Sequence, residues 1–245
     1  MTRKRRSSVC GLVLAGLLLG AAGCGALPRS GDDATPGAAS SPSQLVGPAG
    51  RFSPPADQCA GVTPATAQKF KLQQPSKNSL PGMDSDPATG TLVDYTVLRC
   101  SWSVDNPAKG PNGRPNMFTL SVTYSVIDPA FPKSVQVATG IYELKKEKLR
   151  TDPERQVKRS DAPAGLGDEA AYFFAVETSS LGEGGSVDLI IRSSNAYVSI
   201  SFSGADLRSD PSKPRGLQLV TSAVAEDQLQ PTVLGIAGEV LSLLG

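Results

Sequence analysis

The chain has 245 residues, with 24 basic and 23 acidic side chains and no histidine, which gives a net charge of +1. Without residues 1–23, which carry four basic and no acidic side chains, the net charge is −3; this argues against the basic stripe that nucleic-acid binding normally needs, so no nucleic-acid partner is expected. The missing histidine excludes a Ser-His-Asp triad, a Cys-His pair and the common zinc sites. We therefore predict no catalytic residue, no metal site and no cofactor.

The first 23 residues are typical of a bacterial lipoprotein signal peptide. A basic start precedes an apolar run over Val9–Leu19, which is too short for a spanning helix of about 20 residues. Small residues then lead to Cys24, as in a lipobox, where Cys24 would be lipidated and become the mature N-terminus. The position three before this cysteine, usually leucine, is Ala21. We expect an exported protein that is anchored by lipid to the outer face of the cytoplasmic membrane.

Composition divides the rest of the chain into two parts. Removal of the signal segment takes away four basic residues and no acidic ones, so the mature chain is net negative and its membrane contact depends on the lipid. Residues 24–56 are rich in Ala, Gly, Pro and Ser, which predicts a disordered tether of about 30 Å root-mean-square length. Residues 57–245 are expected to form a single α+β domain and a monomer.

Two cysteines lie in the predicted domain, Cys59 and Cys100, an even pair in an exported, oxidising context. A disulfide between them is the simplest interpretation, and it would contribute about 4 kcal/mol in the chain-entropy model. The alternative is a metal or redox pair. The spacing, which is not C-x-x-C, and the lack of histidine both argue against that alternative.

The predicted domain begins with a short helix, a loop and a strand. Thr63 can cap a helix over residues 64–70, whose first residue is a proline. Residues 75–90 are rich in Pro, Gly, Asn, Ser and Asp, which predicts a surface loop. Residues 97–104 alternate with period two, which predicts a half-buried strand that buries Trp102 beside the disulfide.

The middle of the chain contains the clearest strand and the longest helix. Residues 118–126 alternate, and their polar face is rich in hydroxyl groups and uncharged, which suits an antiparallel sheet with one side in water. Apolar residues near a 3.6-residue period predict a helix from Pro132 to Arg150. Its last turns are crowded with basic residues: Lys145, Lys146, Lys148 and Arg150.

Two interpretations of these basic residues are possible. They can stabilise the negative end of the helix dipole, or they can form a basic patch for an anionic wall polymer or headgroup. Glu143 and Glu147 are interleaved with them, which favours the first interpretation.

The last third of the chain contains three predicted strands and a terminal helix. Residues 170–177 predict an aromatic strand, and residues 187–192 and 196–202 predict a hairpin. The pattern of Leu217–Val224 does not decide between helix and strand. Pro231 precedes a helix with an apolar stripe. Together the elements predict a single antiparallel sheet of about five strands, with the two long helices packed on one face, as in a cystatin-like or photosystem-accessory-like arrangement.

Asp168 and Glu169 are the acidic pair that most invites a catalytic interpretation. Adjacent residues on a strand point to opposite faces, so the two cannot act as an acid/base pair without a bulge. We expect a structural role instead, in which Gly165 and Gly167 supply a turn and Asp168 accepts backbone hydrogen bonds within it.

Three short motifs occur in order: Asp57–Cys59 (DQC) before a helix, Arg99–Trp102 (RCSW) on a strand, and Gly165–Ala170 (GLGDEA) entering another strand. With the lipobox and the tether, they resemble a family of small actinobacterial envelope lipoproteins known only as a domain of unknown function. The resemblance covers about Asp57 to the C-terminus. It implies an α+β domain at the outer face of the membrane, with a disulfide between the two matching cysteines, and it implies no activity.

We therefore expect a lipid-anchored, non-enzymatic binding or accessory module of the cell envelope. Its partner would be an envelope protein, a glycan or an apolar ligand, held on the sheet face or in a groove between sheet and helix. Two alternatives stay open: an enzyme that acts on wall material through carboxylates, and an inhibitor or sensor-like domain that binds a protein through its loops. The motif residues without an assigned role are Trp102, Gly165, Gly167, Asp168 and Glu169.

Overall fold

A computed structural model of the chain describes residues 50–85, 90, 92–104, 117–180, 182–212 and 219–244. The predicted signal segment, the predicted lipid site Cys24 and the tether up to residue 49 lie outside these residues. Among the helices that the structure describes, none has the length and apolar character needed to cross a membrane.

The described residues form three helices and eight strands. The helices are α1 (Pro64–Lys69), α2 (Ser134–Thr151) and α3 (Glu226–Ser242). The strands are β1 (Ser76–Ser85), β2 (Leu92–Ser103), β3 (Met117–Ile127), β4 (Arg155–Asp161), β5 (Glu169–Ser179), β6 (Gly182–Ser193), β7 (Ala196–Ser209) and β8 (Leu219–Ala223).

All eight strands belong to one mixed sheet with the order β1-β2-β3-β7-β8-β6-β5-β4. β6 and β7 form a long hairpin and also pair with each other directly. The short strand β8 pairs antiparallel with the last residues of β7 and parallel with β6, where Gly182 faces Thr221. Every other pairing between these strands is antiparallel.

The two long helices lie on opposite faces of this sheet. On β6, Leu189 and Ile191 belong to the hydrophobic cluster that contains α3, whereas Ile190 between them belongs to the cluster that contains α2. Neighbouring residues of a strand point to opposite faces, so the two helices cover the sheet from two sides. β5 repeats the pattern, because Tyr172 belongs to the α3 cluster and Phe173 to the α2 cluster.

The predicted single antiparallel sheet of about five strands, with the helices on one face, is therefore wrong. The continuous apolar runs of β5 and β6 are typical of strands that are buried on both faces. A sheet with helices on only one face would not need such runs. Tyr172 and Phe173 are both buried, as are Leu189 and Ile190. The prediction assigned such runs to strands but did not use them to place the helices.

The strand count was too low chiefly because both edge strands were missed. β1 occupies most of the segment predicted as a surface loop, and it contains Pro81, which an edge strand tolerates because one side of it needs no ladder hydrogen bond. β4 carries many charged residues and has a register shift between Val157 and Arg159, both of which protect an exposed edge from further pairing. The undecided segment near residue 220 is strand β8.

Several local predictions are confirmed. Thr63 caps α1, and Pro64 is its first residue. β3 covers the predicted alternating strand, and β6 and β7 form the predicted hairpin. The C-terminal helix begins earlier than predicted, since Pro231 lies inside α3 rather than before it.

Candidate functional site

The first motif, Asp57–Cys59, fixes the start of the domain to β1 and β2. Asp57 Oδ1 accepts the backbone N–H of Cys59 at 2.9 Å, and Asp57 Oδ2 pairs with Lys77 Nζ at 2.9 Å. The bond from Lys77, followed by the bond from Cys59, lowers the pKa of Asp57. Cys59 forms a disulfide with Cys100, with a Cα–Cα distance of 5.3 Å. The geometry of this motif supports a structural role.

Trp102 is also part of the interior. It is 3% exposed and lies in the same hydrophobic cluster as Cys59 and Cys100. A side chain so thoroughly covered offers no surface to a ligand. Its place on β2 follows from the alternation, which points Leu98, Cys100 and Trp102 toward α3.

The glycines of the third motif make a tight turn before β5. Gly165 and Gly167 have φ angles of 79° and 63°, in the left-handed region that favours glycine. At Gly167 a Cβ atom would lie 2.5 Å from the backbone oxygen of Arg192, so the site also lacks room for a side chain. The adjacent N–H of Asp168 donates to that same oxygen at 2.9 Å.

Both carboxylates of this motif bind one arginine. Asp168 Oδ2 accepts from Arg192 Nη1 at 3.0 Å, and Glu169 Oε2 accepts from Arg192 Nε at 3.0 Å. The prediction that they point apart is wrong, because Asp168 lies in the turn before β5 and not on the strand. Asp168 also accepts the N–H of Ser194 at 2.7 Å, a bond to the β6–β7 turn rather than within its own turn. The pair holds two loops together.

Asn195, in the β6–β7 turn, has a role that the sequence analysis missed. Its side chain is fully buried, and its Oδ1 accepts the N–H groups of Arg51 and Phe52 at 2.8 and 2.9 Å. Its Nδ2 donates to the carbonyls of Phe52 and Ile127 at 2.8 and 2.6 Å. Residues 51 and 52, assigned by composition to the tether, are thus bonded to the domain. An asparagine after two serines has the composition of an ordinary turn, which hid this role.

A surface of hydroxyl groups lies on the α2 side of β2, β3 and β7. Strand register aligns these groups in rows that run across the three strands. The hydroxyl face is defined by two such rows: Ser101, Ser121 and Ser201, then Ser103, Thr119 and Ser203. α2 does not cover these rows, because it packs on Ile127, Ile190 and Tyr197, nearer the β6–β7 turn.

A groove of about 370 Å³ opens between the end of α2 and this side of the sheet. Four basic side chains line it, Lys145 and Lys148 from α2, Arg99 from β2 and Arg155 from β4, together with the carboxylate of Asp152. Hydroxyl-bearing and apolar residues complete the lining: Tyr95, Thr123, Ser125, Tyr197 and Ser199, with Val97 and Leu149. We term this site the basic groove. Arg99 and Thr123 stand in the row next to the hydroxyl face, so groove and face are continuous.

The two lysines of the basic groove are free to meet a ligand. Among the residues that the structure describes, neither Lys145 nor Lys148 has an ion-pair partner. The other two basic residues of the helix end pair along the helix, Lys146 with Glu143 at 2.6 Å and Arg150 with Glu147 at 3.7 Å. The interleaved acids therefore neutralise the lysine and the arginine outside the groove, which removes the sequence argument against a basic patch.

Arg155, which lines the groove, is held by two carboxylates. Its two terminal nitrogens pair with Glu177 at 2.7 Å and Asp188 at 2.6 Å, and its side chain is 11% exposed. Its Nε is buried and has no hydrogen-bond partner among the described atoms. A buried donor without a partner is costly, unless a ligand or water accepts from it. Arg99, by contrast, donates from Nε to Thr123 Oγ1 at 3.3 Å, and its guanidinium lines the groove.

A larger groove of about 600 Å³ lies between α2 and the start of β5. Its charged groups are largely neutralised by each other: Asp168 and Glu169 with Arg192, Lys146 with Glu143, and Asp161 with Arg159. The basic groove is the better candidate, because two of its four cations, Lys145 and Lys148, have no ion-pair partner among the described residues.

Within the described part of the chain, no group of three or more Cys, Asp or Glu side chains is arranged to hold a metal ion. The candidate site therefore consists of the basic groove, which supplies cationic donors, and the adjoining hydroxyl face. Comparison with known proteins gives no match, since no protein-family model, no curated protein and no solved structure matches this chain.

Proposed function

We propose that this protein is a lipid-anchored binding module of the cell envelope whose ligand is an anionic, hydroxyl-rich molecule held in the basic groove. The observation that carries the proposal is a pair of lysines, Lys145 and Lys148, that have no ion-pair partner among the described residues and that line one groove with Arg99 and several hydroxyl groups. The lipid anchor rests on the sequence of residues 1–24.

The lining of the groove matches the chemistry of an acidic sugar. Ammonium and guanidinium groups bind carboxylate or phosphate by charge-assisted hydrogen bonds, which are stronger than neutral ones. Serine and threonine hydroxyls both donate and accept, so they complement the hydroxyl groups of a sugar. The volume of about 370 Å³ lies within the range usual for small-ligand sites.

Binding is better supported than carboxylate catalysis. A carboxylate that acts as acid, base or nucleophile has to reach the substrate, whereas Asp168, Glu169 and Asp188 are each bound to an arginine. Within the described part of the chain, no comparable set of free carboxylates supports an enzyme that acts on wall material. An inhibitor or sensor-like role through loops has no specific observation in its favour.

The test is calorimetric titration of the full chain, purified in detergent micelles, with digalacturonate and with glucose 1-phosphate. Neutral cellobiose is the ligand control. We expect the acidic sugars to bind, with an affinity that falls as salt is added, because charge supplies much of the attraction. Changing Lys148→Gln should weaken binding about tenfold, the loss expected when one charge-assisted hydrogen bond is removed.

Lys146→Gln is the matched control, because it removes the same charge from the same helix turn outside the basic groove. It should leave the affinity unchanged. Equal losses for Lys146→Gln and Lys148→Gln would assign the effect to overall charge and contradict the proposed site. Failure of either acidic sugar to bind the unmodified chain would contradict the proposed function itself.

A further inference from the structure

We infer that the ligand is a linear acidic glycan, with one acidic group in the basic groove and the adjoining sugar units lying on the hydroxyl face. The inference rests on the proposed function, since the groove supplies the anchoring charge. It adds a second binding surface and a requirement for chain length, neither of which the groove alone implies.

The hydroxyl face continues from the groove without a break. Arg99 and Thr123 lie beside the groove, and the rows of Ser121 and Thr119 follow at intervals of two residues along β3. With strands about 4.8 Å apart and a rise of about 3.3 Å per residue, three strands and two further rows make a surface of roughly 10 by 13 Å. That surface is polar and extends beyond the groove along the three strands.

Its hydroxyl groups can be reached from solvent. Ser103 and Thr119 are exposed, and Ser121, Ser201 and Ser203 are half-buried. Ser101 and Ser121 share one hydrogen bond at 3.2 Å between their Oγ atoms, which leaves each further capacity to donate or accept. A chain of sugar hydroxyls can therefore exchange hydrogen bonds with water for hydrogen bonds with successive rows.

The composition of the face favours a glycan over a protein. Protein interfaces depend on aromatic and large apolar anchors at their centre. The exposed large hydrophobic residues of the described chain lie on β1, the start of β2 and the helices: Leu80, Met83, Leu92, Leu144 and Leu234. The two rows contain only serine and threonine, and no cation that could hold a polyanion by charge alone.

The test is to measure by calorimetry the affinity of the full chain, in detergent micelles, for galacturonate oligomers of two, four and eight units. We expect the affinity to rise about tenfold from dimer to tetramer and then to level off, because the second surface is limited in length. The double change Thr119→Val and Ser201→Ala removes two hydroxyls at nearly constant shape. It should abolish this gain, so that dimer and tetramer bind the double variant with equal affinity.

The outcomes separate the two proposals. Equal affinity for dimer and octamer would overturn the inference and leave the groove as a small-ligand site. An equal length-dependent gain with polyglutamate would also overturn it, because a polypeptide polyanion would then serve as well as a glycan. A gain from dimer to tetramer that persists in the double variant would overturn the assignment of the second surface to the hydroxyl face. Absence of dimer binding in the unmodified chain, with no gain for longer oligomers, would remove the proposed function as well.

Discussion

Asn195 binds the backbone of Phe52 through both ends of its side-chain amide. Its Oδ1 accepts the Phe52 N–H at 2.9 Å, and its Nδ2 donates to the Phe52 carbonyl at 2.8 Å, across 143 positions of sequence. The position of Gly50 is equally close, since a Cβ there would meet the Asn195 side chain at 2.6 Å. The chain therefore enters the domain at the β6–β7 turn, beside the start of α2 and at the opposite end of that helix from the basic groove.

Changing Asn195→Asp should destabilise the domain by about 3 kcal/mol. A carboxylate only accepts, so the carbonyls of Phe52 and Ile127 would lose their donor and face a buried charge. Urea unfolding measures the loss, and hydrogen exchange at the amides of Arg51 and Phe52 tests its location. An unchanged midpoint together with slow exchange at these two amides would show that the side chain does not fix the entering segment.

The two glycines of the turn before β5 should respond differently to alanine. At either position, an alanine held in the left-handed conformation should destabilise the domain by about 1 kcal/mol. At Gly165 a Cβ meets nothing within 4 Å, whereas at Gly167 it meets the Arg192 oxygen at 2.5 Å. Gly167→Ala should therefore cost about 3 kcal/mol in thermal unfolding, because the backbone has to shift. Equal effects of the two changes would show that crowding against Arg192 is unimportant.

Glu239 should make stability depend on acidity. Its Oε1 accepts from Thr66 Oγ1 at 2.6 Å and its Oε2 from the Thr63 N–H at 3.1 Å, and these bonds, Thr66 first, lower its pKa below the ordinary 4.5. The folded state then binds a proton less readily than the unfolded state. Its stabilising contribution is present above the unfolded pKa and is lost as pH falls through the folded pKa.

The variant Glu239→Gln should accordingly melt at a lower temperature than the unmodified protein at neutral pH. The difference should shrink as the pH falls below about 4, because the glutamate becomes neutral as well. Glu147→Gln, at an exposed ion pair with Arg150, is the control and should change little at either pH. A difference between Glu239→Gln and the unmodified protein that stays constant over this range would exclude the linkage.

Alternation predicted the half-buried strands well, because in such strands polarity follows burial directly. β3 and the buried face of β2 are examples, with Cys100 and Trp102 inward as expected. The same reasoning fails at β1 and β4, since an edge strand is exposed on more than one side and its composition resembles that of a loop. This reasoning also does not place α2. The apolar run of β5 shows that both faces of the strand are buried, but it does not show which helix covers which face.

The site was predictable only in parts. The hydroxyl rows follow from the alternation of β3, and the basic end of α2 is plain in the sequence. The hydroxyl rows and the basic end of α2 lie side by side only because α2 packs on the face of the sheet opposite α3. No local sequence pattern predicts that placement. Lys146 has an ion-pair partner, whereas Lys145 and Lys148 have none among the described residues, and this division likewise depends on which side of the helix faces the sheet.

Changing Cys59→Ser should lower the free energy of unfolding by about 2 to 5 kcal/mol, the usual effect of losing a disulfide from a small exported domain. The bond closes a sequence separation of 41 residues between the start of the domain and β2. Thermal unfolding measures the change in stability, and thiol titration measures whether the two cysteines are free. An unchanged melting temperature, or two reactive thiols in the native unmodified domain, would refute the disulfide.

Changing Cys24→Ala should release the protein from membranes or leave it unprocessed, because lipidation requires the cysteine thiol. The expectation follows from the basic start, the apolar run and the small residues before Cys24, and the net negative charge of the remaining chain offers no electrostatic attachment in its place. Membrane fractionation and intact mass measure the outcome, and Cys10→Ala, within the apolar run, is the control. Normal membrane retention of Cys24→Ala with a mass differing only by the substitution would eliminate the lipid anchor.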